Sequence, residues 1–131
     1  MPKTILESSK LSKPTGIFSA GVKVPAGQLV FVSGQVARDS QGETVGKGDI
    51  TAQTRQVLEN IKTVLESAGA TMDDVVKVSV FVTNLEEHFT QIHEVRAQYF
   101  KKDYPASTMV EVKALANKDL LIEIEAVAVI P

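Results

Sequence analysis

A chain of 131 residues with 44% hydrophobic residues has the size and composition of one globular domain with its own core. Its 14 lysines and arginines stand against 16 acids, a net charge of −2. The charges are scattered, which argues against a nucleic-acid partner, since such binders carry a basic stripe. The absence of cysteine excludes disulfides, thiolate nucleophiles and cysteine-ligated metals.

The first residues, Met1-Pro2-Lys3-Thr4, open no apolar signal core, and no later segment approaches the roughly 18 apolar residues of a membrane span. A cytoplasmic protein without a membrane partner is the expectation. Residues 1–15, with Pro2, Pro14 and several Ser and Lys, read as an irregular arm before a single domain spanning 1–131. Ile17 to Val24 and Leu29 to Ser33 read as strands joined by Pro25-Ala26-Gly27, and so as a hairpin. Gly34, Gly42, Gly46 and Gly48 then punctuate a long loop.

Asp49 or Thr51 caps a helix that repeats Val57, Leu58, Ile61, Val64 and Leu65 at helical spacing and stops at Gly69. Val75 to Thr83 alternates as a strand, with Val76, Val78, Val80 and Val82 on one face. A second helix runs from about Glu86 to Lys101, bounded by Pro105, and strands over 107–113 and 120–130 close the chain. The order β-β-α-β-α-β-β predicts an α+β domain with two helices on one face of a mixed sheet.

The last strand places Ile122, Ile124, Ala126, Ala128 and Ile130 on one face, which suits packing under the helices. Its other face holds Leu121, Glu123, Glu125, Val127 and Val129, too apolar for open solvent. With only two helices to hand, another copy of the chain is the simplest cover, so a homo-oligomer closed by symmetry is expected. Glu123 and Glu125 on such a face must be paired, hydrogen-bonded or shifted in pKa. Pairing with Lys77 or Lys113 is one reading; placing a water in an intersubunit cleft is the other.

Metal chemistry finds little support, because His88 and His93 are five residues apart and fall on different helix faces. No phosphate loop or nucleophile elbow is present, and no cofactor is expected. Arg96 falls inside the apolar stripe of Phe89, Ile92, Val95, Tyr99 and Phe100, with His93 at its margin. Such an arginine lays its stem over apolar neighbours and carries its charge to water or an acid, or else serves as an anion clamp in a cleft. Arg55 belongs on the polar side of the first helix.

Four segments in order resemble one family: Val32-Ser33-Gly34-Gln35, Ala52-Gln53-Thr54-Arg55-Gln56 with the helix it opens, Asp74 to Val82, and Ile122 to Val129. With Pro105-Ala106 and Val110-Glu111-Val112 they cover the chain from about Gly16 to Ile130. The sequence is therefore similar to the RidA/YjgF proteins. The resemblance implies a chorismate-mutase-like fold, a homotrimer, and a small-molecule ligand in clefts between subunits. It also implies hydrolysis of reactive imines and enamines such as 2-aminoacrylate, although members are also labelled endoribonuclease L-PSP or translation inhibitor.

Carried over position by position, the resemblance gives Gly34 the role of a backbone group facing the ligand and Glu123 that of the catalytic, water-placing acid. The family's P-A-R-S-C-V-E-V stretch reads Pro105-Ala106-Ser107-Thr108-Met109-Val110-Glu111-Val112, so the carboxylate-clamping arginine is Ser107 and a frequent cysteine is Met109. The early G-P-Y motif reads Gly16-Ile17-Phe18, and a helix asparagine aligns with His93. Phe18, Gly34, His93, Arg96, Ser107 and Met109 are thus the expected ligand-binding set, with Glu123 catalytic. Replacing a bidentate charged pair by one hydroxyl weakens carboxylate binding by roughly 10- to 100-fold. The resemblance therefore implies an altered substrate preference, or a module that binds a metabolite without turning it over.

Overall fold

The computed structural model describes residues 3–131. Its strands are β1 (Thr4–Leu6), β2 (Gly21–Lys23), β3 (Gln28–Val36), β4 (Val75–Val82), β5 (Ala106–Glu111) and β6 (Ile122–Ile130). Helix α1 spans Ile50–Ser67 and α2 spans Leu85–Tyr99, with a 3-10 turn at Met72–Asp74 leading into β4. The fold is α+β, with both helices packed on a mixed four-stranded sheet of order β3-β6-β4-β5. Strand β6 runs antiparallel to both neighbours, whereas β5 returns through α2 to lie parallel to β4. None of the described helices is long and apolar enough to cross a membrane.

The expected first hairpin does not form. Strand β2 pairs instead with β1, in the segment expected to be irregular, and β3 pairs with β6. Ile5 supplies a half-buried apolar position between exposed neighbours, and three residues suffice to bond it to Val22. Met1 and Pro2, the start of the expected arm, lie outside the described residues. Strand β3 prefers β6 because β6 offers nine residues of apolar alternation, whereas β2 offers three residues in all.

The helices end where local chemistry ends them. The Asp49 carboxylate accepts the Ala52 N–H at 3.1 Å, capping α1. At its far end Gly69 takes a φ of 76°, and the N–H groups of Gly69 and Ala70 return to the Glu66 and Leu65 carbonyls. Asn84 caps α2, and Glu111 at the end of β5 accepts the Leu85 N–H at 2.9 Å. That bond ties the parallel edge strand to the start of the helix.

The core lies between helices and sheet. Val57, Leu58, Ile61 and Leu65 of α1 meet Ile92 and Val95 of α2 above Val78, Val80, Ile122 and Ile124. Two polar side chains of α1 are wholly enclosed: Thr54 donates to the Ile50 carbonyl, and Gln53 donates to the Gly46 and Asp119 carbonyls and accepts the Leu121 N–H. Gln53 pins the glycine-rich loop and the segment before β6 to α1. Gly46 is required beside it, at φ 73°, because an added Cβ would strike the Cβ of Ala52 at 2.7 Å.

Candidate functional site

Parallel pairing of β5 with β4 decides which way its side chains face. Ser107 and Met109 sit opposite Val78 and Val80, on the helix-covered side, while Thr108 and Val110 sit opposite Ser79 and Phe81 on the open side. As β5 is the sheet edge, Ser107 and Met109 emerge beside the exposed flank of α2. The segment before β2 closes over them: Ser19 bridges Ala106, its N–H reaching the Pro105 carbonyl at 3.0 Å and its hydroxyl the Tyr104 carbonyl at 2.5 Å. This lays Gly16, Ile17 and Phe18 across the end of α2.

A cavity of about 340 Å³ results, and Phe18, His93, Arg96, Ser107 and Met109 all line it, together with Phe89. The Phe89 and His93 rings, one helical turn apart, stack at 5.7 Å. Gly16 passes so close to His93 that an added Cβ would lie 3.0 Å from its Cε1. A larger residue would therefore displace the ring or the strap. A wider groove of about 630 Å³ runs along Gly34, Gln35, Arg38 and Asn60, but its charged groups, Arg38 and Asp39, are exposed.

Arg96 is the polar centre of the cavity. It is 4% exposed, and its Nη2 donates to the Ile17 carbonyl at 3.0 Å and to Ser107 Oγ at 3.1 Å. No acid lies within ion-pair reach; among the described residues the one such pair is Lys47–Asp119, at the surface. Burial pushes the Arg96 guanidinium down to about 10, which leaves it charged at neutral pH. Burying a cation without a partner charge costs several kcal/mol, and hydrogen bonds to neutral oxygens return only part of that.

The remaining two residues of the expected set lie elsewhere. Glu123 sits opposite Val36 on β3 and Phe81 on β4, on the open side of the sheet. Gly34 belongs to a bulge between Val32 and Gln35, and the space where its Cβ would stand is filled by Glu123 Oε2. So the structure joins Gly34 to Glu123, and joins Phe18, His93, Arg96, Ser107 and Met109, but as two groups on opposite sides of one chain. Sequence reasoning missed the Ile17 carbonyl, which a side-chain pattern cannot announce. It also passed over the constraint at Gly16, although the early glycine motif pointed there.

The sequence profile described as Endoribonuclease L-PSP matches residues 9–130. The chain belongs to this family, known also as RidA/YjgF. Among its members a RutC family protein of Pyrococcus abyssi is 44% identical over 128 residues, 98% of either chain. A conserved Rid family protein of unknown function, YyfB from Yersinia pestis, superimposes with a TM-score of 0.91 at 38% identity, covering 99% of this chain and all of that one. The crystal structure of Escherichia coli TdcF with bound serine matches at 36% identity and a TM-score of 0.72, over 98% of this chain and 99% of the other. Membership in the RidA/YjgF family agrees with the fold expected from the four ordered segments.

Proposed function

We propose that the protein binds a small organic metabolite in clefts of a homotrimer and hydrolyses an imine or enamine there, with a substrate preference altered by Ser107. The carrying observation is the convergence of five of the seven expected residues on one cavity with a buried charge at its floor. A few polar groups in an otherwise apolar pocket are what a metabolite site requires. TdcF, whose structure holds an amino acid, supports a ligand of that size. Glu123 and Gly34 lie on the sheet's opposite side, the face that also carries Phe31, which is 72% exposed. In the trimer reading, a neighbour whose cavity edge lies against that face meets this chain's Glu123, so that each cleft combines the two groups from different copies.

In this reading Glu123 accepts a proton from a water as the water attacks the imine carbon. The C=N bond is replaced by C=O, and the nitrogen leaves as ammonia after taking up protons. General-base help of this kind is worth about 10² to 10⁴ in rate. Hydrolysis of 2-iminopropionate generated in a coupled assay, run beside a panel of bulkier imino acids, tests the proposal. At least one substrate should be accelerated, and Glu123→Gln should lower that rate roughly 100-fold. No acceleration of any substrate would leave the cleft as a binding site alone.

A further inference from the structure

We propose that Arg96 is an anion clamp supplied from helix α2 rather than from the edge strand, and that the ligand it holds is a monocarboxylate bearing a ring-sized apolar substituent. The inference rests on the cavity reading above and adds the ligand's chemistry to it. Three observations carry it. First, the Arg96 guanidinium is buried against a cavity and meets only neutral oxygens, the Ile17 carbonyl and Ser107 Oγ. An anion entering the cavity meets a preformed, already desolvated cation, and a planar guanidinium suits a carboxylate.

Second, the bond from Arg96 to Ser107 sets the hydroxyl's direction. Ser107 Oγ accepts from Nη2 at 3.1 Å, so its own proton remains to be donated. The serine at this position therefore works with the arginine as a second donor to the same anion. Third, the other walls are apolar and broad: Phe18, Met109 and the stacked Phe89–His93 pair. Phe89 is 48% exposed, a large face left open at the mouth. A three-carbon acid leaves most of about 340 Å³ unfilled, whereas a phenyl or branched group occupies it and stacks on the aromatic pair.

Calorimetric titration of the intact protein with phenylacetate, phenylacetamide and acetate tests each part. Phenylacetate should bind at least 10-fold tighter than the amide, which lacks the charge, and at least 10-fold tighter than acetate, which lacks the ring. Arg96→Gln should erase the preference for acid over amide, Arg96→Lys should retain part of it, and Phe89→Ala should erase the preference for ring over methyl. Equal binding of acid and amide, or a preference that survives Arg96→Gln, would overturn the clamp. Equal binding of acetate and phenylacetate would overturn the substituent. Should Arg96→Gln fail to fold, Arg96→Lys decides in its place: an acid-to-amide preference that it leaves unchanged would overturn the clamp. Carboxylate binding without imine hydrolysis removes the catalytic reading alone; hydrolysis without any carboxylate preference removes this one alone.

Discussion

The two faces of the four-stranded sheet are made from the same strands and have opposite characters. Under the helices, Ile122, Ile124, Val78 and Val80 are at most 1% exposed. On the open side, Phe31 and Leu29 are 72% and 61% exposed, and carboxylates stand among apolar side chains at Glu123 and Glu125. The helix side is a finished core, whose energy resides in the chain itself. The open side mixes large apolar surface with acids that only another surface would organise, and here the expectation of a homo-oligomer has its physical basis.

Substitutions can separate the two faces. Ile124→Ala should lose about 2–5 kcal/mol of folding stability through lost burial and a residual cavity, read by denaturant unfolding. A loss below 1 kcal/mol would mean that the helix side is not the close-packed one. Phe31→Ser should change association instead. Its sedimenting mass should fall, while folding stability measured at low protein concentration moves by no more than about 0.5 kcal/mol. An unchanged mass would remove Phe31 from any subunit contact.

The smallest effect belongs to the helices' outer surface, where the Tyr99 hydroxyl donates to Glu59 at 2.5 Å. Burial, reinforced by Glu59, pushes the Tyr99 phenol up to about 12. The folded state therefore holds this proton more tightly than the unfolded one. Its contribution is complete below the ordinary tyrosine value of 10.0 and is lost as pH rises from there to about 12. Arg96 acts with the opposite sign in an overlapping window: the penalty of its buried charge is relieved as pH rises above about 10. Comparing Glu59→Gln with the parent isolates the tyrosine. Ultraviolet titration should find Tyr99 lower in the variant, and an unmoved phenol would show that burial alone sets its value.

Much of this was legible in the sequence, and the gaps have causes. The alternation in β6 and the apolar spacing of α1 identify their buried faces correctly, because burial imposes a period on both. Val129, read as part of the open face, is nevertheless buried, since the turn at Gly27 folds against it. The hairpin expected between the early strands failed because pairing depends on which partner offers the longer ladder. Ser107 was visible as a substitution and Arg96 as one reading of a cleft clamp, but the bond between them was not. Arg96 and Ser107 lie on different elements, and only the parallel return of β5 beside α2 brings them to 3.1 Å.

Pairing β3 with β6 has a temporal consequence. Gln28 and Ile130 are partners, so β3 has no place in the sheet until β6 has been synthesised. Meanwhile a nascent segment with Leu29, Val30, Phe31 and Val32 waits without its ladder. Sheets closed by such distant strands assemble slowly and expose sticky intermediates. Strand β3 thus stays unpaired longer during synthesis than any other strand of the four-stranded sheet, although in the finished fold it forms an edge.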